Sequence, residues 1–441
     1  MKLRNQYFWS FAVAVSGFLF GFDTVVISGA NLPIKELWNT SPLFHGAFIM
    51  SIALWGTVVG SLFGGIPCQR FGRKNTLLWV GILYFVSAIG SALATDPYLF
   101  SFSRFIGGLG VGLSTVASPM YISEISTPKN RGKLVALYQF NIVFGILIAF
   151  LSNYLLDGIG GANDWRWMLG VEAAPAFVYI VLIYFVPKSP RWLLSVKKDE
   201  EGARKVLELT GVDDVEKEIG LIKSSNQNHK PSESLYKDYR KPMFLVFFLA
   251  FFNQMSGINF VLYYAPEILE MTGLASKESL FNSIAIGGVN LIFTLLGLYM
   301  IDRFGRKFLL LIGSVGYIFS LTLLSVCFLF EFSPSWILIM ITLFIASHAI
   351  GQGAVIWVFI AEIFPNSVRS YGQSFGTGTH WVFAAIITLV GPIMINLFEA
   401  NPWPIFMFFS GMMVLQLIFV IIYFPETKGK SLEEIETIFN K

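Results

Sequence analysis

The string RFGRK at residues 70–74 returns unchanged at residues 303–307. Two other strings return in the same order. Glu124 and Arg131 in SEISTPKNR reappear as Glu362 and Arg369 in AEIFPNSVR, and PKSPR from Pro187 reappears as PETKG from Pro425. The spacings are 233 residues (70 to 303), 238 (124 to 362) and 238 (187 to 425). One five-residue identity can arise by chance. Three ordered recurrences at nearly one spacing mark an internal duplication, so the chain reads as two similar halves.

Between these strings the sequence is apolar. Of 441 residues, 55% are hydrophobic and 13% charged, with 44 Phe. A soluble domain carries about 25% charged residues, so this chain lacks the polar surface to cover a soluble globule of its size. A spanning helix needs about 20 mostly apolar residues. That length predicts twelve spans, near 8–30, 46–66, 75–95, 98–121, 134–156 and 166–187, then 242–265, 280–301, 308–330, 335–360, 371–398 and 403–424. The expected parts are an N-terminal half, 1–187; a linker, 188–241; a C-terminal half, 242–424; and a tail, 425–441. The linker holds KKDEEGARKVLEL and DVEKEIGLI, whose apolar residues recur at helical spacing, so short surface helices are expected there, followed by a connection through SSNQNHKPSES.

Lys2 and Arg4 before an apolar run resemble the start of a signal peptide. The run continues to about Ala30 without a small-x-small cleavage site, so it reads as a retained first span. The basic loops carry Arg70, Arg73, Lys74, Lys129, Arg131, Lys133, Arg303, Arg306, Lys307 and Arg369; the opposite loops have little beyond Lys35 and Lys277. The positive-inside bias predicts cytoplasmic basic loops, linker and termini. A net charge of +3 without a basic stripe gives no nucleic-acid footprint. Cys68 and Cys327 define no disulfide scaffold. No metal cluster, nucleophile motif or Walker loop is visible, so neither a metal nor a cofactor is expected, and the chain does not read as an enzyme.

The informative residues are polar ones inside spans. Asp23 lies in GFLFGFDTVVISGA, residues 17–30. A lone acid at mid-bilayer costs at least about 2.5–3.5 kcal/mol. Arg104, in the fourth predicted span, offers the opposite charge. The residues alone leave three readings open: a static ion pair that orients helices, a cap at a helix break near Gly21, or a functional site. Amides and tryptophans in spans also have two readings, helix–helix contacts at about 0.6 kcal/mol each or the lining of a cargo site.

The residues with the strongest signature are RFIGGLGVG at 104–112, PMYISEIS at 119–126, PKSPRWL at 187–193, NQMSGINFVLYYAP at 253–266, VIWVFIAEIFPNSVR at 355–369 and PETKGKSLEEI at 425–435. With the doubled RFGRK, they resemble the sugar porters of the major facilitator superfamily over essentially the whole chain. The resemblance implies an all-α membrane protein of twelve transmembrane helices in two pseudo-symmetric six-helix halves. It also implies proton-coupled import of a hexose or pentose by alternating access, in the cell membrane of a bacterium, by a carrier that works as a monomer. The partners implied are a monosaccharide, a proton and the lipid bilayer.

By the same resemblance, Asp23, Arg104 and Glu172 are expected to couple protons. Phe20, Gln139, Asn253, Gln254, Asn259, Tyr263, Asn290, Trp357, His380 and Trp381 are expected to line the sugar site. Arg73, Glu124, Arg131, Asp302, Arg306, Glu362 and Arg369 are expected to form a cytoplasmic gate of charge-assisted bonds. Four positions depart from the usual pattern. Asn253 replaces the first glutamine of a pair, Ile146 a glutamine of the fifth span, His380 the amide before a tryptophan, and Lys188 the acid of PESPR. The last leaves one gate contact missing or rebuilt. Competing readings are a passive uniporter, a polyol (inositol) symporter and a sugar-sensing receptor. Asp23 speaks for coupling, and a tail of only 17 residues from Pro425 on speaks against a receptor.

Overall fold

A computed structural model of the chain describes residues 2–127, 130–212, 214–227, 239–364 and 368–428. Lys129, most of the SSNQNHKPSES connection and the tail beyond 428 lie outside the described residues. Backbone in lipid must satisfy its own N–H and C=O groups, so apolar runs of this length form helices. Among the described residues, eleven helices are long and apolar enough to cross a membrane, and a bent pair makes twelve.

In chain order the spans are α1 Lys2–Trp38, α2 Pro42–Met50 with Ile52–Phe63 (bent by 41°), α3 Arg73–Leu93, α4 Pro97–Ile125, α5 Arg131–Leu156 and α6 Gly161–Tyr184. Then come α7 Arg240–Glu270, α8 Ser276–Phe304, α9 Arg306–Leu329, α10 Pro334–Glu362, α11 Arg369–Leu397 and α12 Trp403–Tyr423. Each predicted span is a helix, and several run longer than hydropathy suggests. The first reaches Trp38, not Ala30, and the fourth reaches Ile125. A helix needs apolar residues only within hydrocarbon, but its hydrogen bonds carry it on through the interface.

Two spans break at glycines. In α7 the break is at Ser256–Gly257, where Gly257 has φ 84°; a Cβ there would lie 2.6 Å from the Phe409 ring. Gly257 thus supplies both a left-handed turn and room for an aromatic neighbour. In α10 the break is at Gly351, and Gln352 starts the next helix. Elsewhere small residues let helices approach closely: a Cβ on Gly112 of α4 would lie 2.4 Å from the Thr57 carbonyl of α2. Large apolar side chains such as Phe102, Ile292, Val315 and Ile422 are exposed, as a lipid-facing surface requires.

The described chain forms two compact units. One comprises Met1–Asp23, Trp55–Gly145 and Leu169–Ser232; the other comprises Thr24–Leu54, Ile146–Met168 and Glu233–Lys441. The second unit therefore contains the ends of α1, α2, α5 and α6 remote from the basic loops. There α2 packs on α11 and α5 on α8: a Cβ on Gly46 would meet the Leu389 carbonyl at 2.0 Å, and Tyr154 lies 5.4 Å from Phe281, ring to ring. After α6, the helices Glu200–Thr210 and Val215–Gln227 bury Ala203, Val206, Leu207, Ile219 and Ile222 against Trp192, Leu193 and Leu194. Asp199 caps the first by accepting from Gly202 N at 2.8 Å, and Gly211 (φ 80°) ends it.

Candidate functional site

The first unit buries an acid, a base and a second acid together. Asp23, 1% exposed, comes from the middle of α1; Arg104, 2% exposed, from the first turns of α4. Arg104 Nη1 donates a short hydrogen bond to Asp23 Oδ1, and Nη2 donates to the Asp23 carbonyl at 3.0 Å. The arginine thus holds both the charge and the backbone of its partner. Glu172, 1% exposed, stands in α6 at a turn just before the helical segment Ala173–Tyr184, near enough to interact with both. Its Oε1 has no hydrogen-bond partner among the described residues, nor do the buried Tyr84 Oη and Ser87 Oγ of α3. Gly107 leaves room here for Ser87: a Cβ on it would lie 2.4 Å from Ser87 Oγ. Removing Asp23 or Arg104 strands a buried charge, which costs about 3–5 kcal/mol in soluble proteins.

The second unit gathers the amides. Around the α7 break, Asn259 Nδ2 donates to Gln254 Oε1 at 2.8 Å, and Gln254 Nε2 donates to Asn253 Oδ1 at 3.0 Å. Gln254 Nε2 also faces His380 Nε2 at 3.1 Å, so that ring nitrogen presents a lone pair. The imidazole packs against Trp357 and Trp381, with ring centroids 4.8 Å away in each case. Five predicted residues of α7 and α11, with Trp357 of α10, therefore form one aromatic-walled amide patch. Such a patch offers donors and acceptors to hydroxyls and flat faces to C–H surfaces. Tyr263 is buried farther along α7, and Asn290 of α8 is buried with its Oδ1 3.5 Å from Thr294 Oγ1. Phe20 (buried) and Gln139 (half-buried) belong to the first unit.

Of the residues expected at the gate, Arg73 pairs with Glu124 in the first unit and Arg306 with Glu362 in the second. Glu124 Oε1 accepts from Arg73 Nε and Nη2 at 3.2 and 2.8 Å, and Glu124 Oε2 accepts from Ser189. Glu362 accepts from Arg306 Nε and Nη2 at 3.2 and 2.7 Å, and from Thr427 at 3.0 Å. Thr427 follows Ser189 by the 238-residue spacing of the repeat, so the duplication reaches individual hydrogen bonds. It fails one residue earlier. Glu426 accepts from the backbone N–H of Arg306 and Lys307, both at 3.0 Å, and caps α9. Its counterpart Lys188 gives α3 no such cap; its Nζ lies 5.9 Å from the Trp192 ring centroid. Asp302, largely exposed, reaches Arg306 at 3.5 Å; Arg131 is exposed, and the side chain of Arg369 lies outside the described residues.

A polar network that hydropathy and motifs passed over sits at the opposite end of the second unit. Asn31 Nδ2 of α1 donates to Glu267 Oε2 of α7 at 2.7 Å, and His45 Nε2 of α2 donates to Asn31 Oδ1 at 2.7 Å. Thr40 Oγ1 donates to His45 Nδ1 at 2.8 Å, and Lys35 Nζ stands 3.6 Å from Glu267. The signal was present in Glu267, an acid one residue past YYAP in an apolar span.

Twelve spanning helices in repeated halves, with a buried acid–arginine pair in one unit and an amide patch in the other, define a carrier and not an enzyme. A family model described as "Sugar (and other) transporter" matches residues 9–439. The arabinose-proton symporter of Bacillus subtilis (strain 168) is 34% identical over 445 residues, covering 98% of this chain and 94% of that protein. The glucose transporter GlcP of Staphylococcus epidermidis is 34% identical over 441 residues, covering 98% and 97%. The structure of the MFS (major facilitator superfamily) proton:xylose symporter XylE bound to 6-bromo-6-deoxy-D-glucose matches with a TM-score of 0.82 and 31% identity, covering 100% of both chains. The chain belongs to the sugar transporter family and has the major facilitator fold.

Proposed function

We propose that this chain is a proton-coupled monosaccharide symporter of a bacterial inner membrane, with both termini and the basic loops cytoplasmic, acting as a monomer. The observation that carries the reading is the buried Asp23–Arg104 pair with Glu172 beside it. Its relatives include proteins named as arabinose–proton and xylose–proton symporters, and a buried acid that can exchange a proton beside a fixed cation is what coupling needs. One guanidinium balances one carboxylate, so this trio has a place for one exchangeable proton.

The cycle follows from those charges. With the site open outward, a proton reaches Asp23, neutralises it and frees Arg104; Glu172 passes the proton. Sugar then binds at the patch of Asn253, Gln254, Asn259, His380, Trp357 and Trp381, with Tyr263 and Asn290 extending its lining. The halves 1–187 and 242–424 rock, the site opens inward, and Asp23 releases its proton and recaptures Arg104. The Glu124 and Glu362 clusters bias this two-state equilibrium. The cargo is a hexose or pentose.

The test is reconstitution in liposomes with a weakly buffered exterior. Adding a transported sugar is expected to raise the external pH as sugar and proton enter together. Sugar uptake without alkalinisation would make the chain a passive uniporter; uptake of inositol but no monosaccharide would make it a polyol carrier.

A further inference from the structure

The amide patch does not end at the residues that face a sugar. Asn253 Nδ2 donates to Gln352 Oε1 at 3.4 Å, Gln352 Nε2 to Gln416 Oε1 at 3.0 Å, Gln416 Nε2 to Ser314 Oγ at 2.8 Å, and Ser314 Oγ to the Leu310 carbonyl at 2.7 Å. With the first two links, the chain runs Asn259, Gln254, Asn253, Gln352, Gln416, Ser314, Leu310. It crosses from α7 to the α10 break, to α12 and to α9, and every link donates in the same direction. Gln352 and Gln416 are each 1% exposed and Ser314 is fully buried. Gln416 is an amide inside the most apolar of the spans, with mean hydropathy 2.6. Burying an amide there is unfavourable unless both its ends are bonded, and in this chain both are.

The far end fixes the sense. A backbone carbonyl only accepts, so the Ser314 hydroxyl donates to Leu310 and its lone pair is left for Gln416 Nε2. Gln416 then turns its oxygen to Gln352, Gln352 its oxygen to Asn253, Asn253 its oxygen to Gln254, and Gln254 its oxygen to Asn259. Turning any one amide by 180° sets donor against donor and acceptor against acceptor at its two neighbours. Links that share one direction also polarise each other. We infer that Gln352 and Gln416, which lie beyond the sugar patch, are positioning residues: they lock the amide orientation of Asn253, Gln254 and Asn259 and so set which sugar hydroxyls the patch accepts. The inference rests on the monosaccharide reading above. It assigns a role in specificity to α12, a helix from which no cargo residue was expected.

The experiment measures uptake kinetics in proteoliposomes for a panel of aldohexoses, aldopentoses and their epimers. It uses the intact chain, Gln416→Met, Gln352→Met, the double variant and Gln416→Glu. Methionine keeps the volume and deletes both bonds. A protonated glutamic acid keeps them in the same sense, its carbonyl accepting from Gln352 and its O–H donating to Ser314. Gln416→Met is expected to raise KM for the preferred sugar about five- to tenfold, the worth of one positioned hydrogen bond. Discrimination between epimers should narrow, while kcat and the alkalinisation per sugar stay within twofold. The double variant should match the worse single variant, because both cut one chain. Gln416→Glu should return KM toward that of the intact chain. KM does not depend on how much protein is folded, so a mere loss of stability does not mimic this pattern. An unchanged KM and epimer preference in Gln416→Met, or a fall in kcat alone, would overturn the relay and leave the symport reading standing. An intact chain that takes up no member of the panel would overturn both.

Discussion

Asp23 shows how much one residue can carry. The sequence singles it out because an acid in an apolar run needs a compensating partner, and Arg104 supplies it through two bonds, one to the carboxylate and one to the backbone carbonyl. In Asp23→Asn the arginine keeps its backbone bond and loses its counter-charge. That variant is expected to lose uphill accumulation, the internal-to-external sugar ratio falling to about one, while exchange of labelled for unlabelled sugar persists. Accumulation at the level of the intact chain would remove Asp23 from the coupling step. Tyr84 and Ser87, buried beside the pair, were not legible, because a hydroxyl in a span most often bonds its own helix. Gln352 and Gln416 were passed over for a similar reason: an amide in a sequence shows that a partner is needed and not which one.

At the scale of elements, the duplication makes each half a control for the other. Glu426 caps α9, and Lys188 leaves α3 without that cap. Lys188→Glu is expected to place a carboxylate at the α3 N-terminus and to stabilise the protein by about 0.3–1 kcal/mol, read as a higher melting temperature in detergent. The sequence shows the missing acid. It does not show that Ser189 and Thr427 keep equivalent bonds to Glu124 and Glu362, because serine and threonine are too common at helix ends to signal a partner.

The Asn31–Glu267 bond ties α1 to α7 at the end remote from the basic loops. Removing it by Asn31→Ala forfeits about 0.6 kcal/mol, a typical interhelical hydrogen bond in a membrane, or close to threefold in the equilibrium between closed and open forms at that end. A cysteine placed at the buried Ile34 should then react about threefold faster with an impermeant maleimide. An unchanged rate would mean that the apolar contacts there hold the closure unaided.

For the whole molecule, the prediction concerns energy. One charge crossing 100 mV is worth about 2.3 kcal/mol, which sustains close to a fiftyfold sugar gradient. In energised vesicles the internal-to-external ratio should approach that scale, and a protonophore should return it to about one. A ratio that survives the protonophore would require another energy source.

Hydropathy and the repeat are properties of a chain read in order, and they sufficed for twelve helices and two halves; the motif strings carried the resemblance to the family. Lipid makes those features decisive, because it leaves the backbone few ways to satisfy its hydrogen bonds. Which polar side chains meet was settled only in three dimensions. Asp23 finds Arg104 across 81 residues, Asn31 finds Glu267 across 236, and the amides of α7 are held from α12. Such partners lie on different helices, and their choice depends on helix rotation and depth of packing, which no periodicity in one strand of sequence encodes.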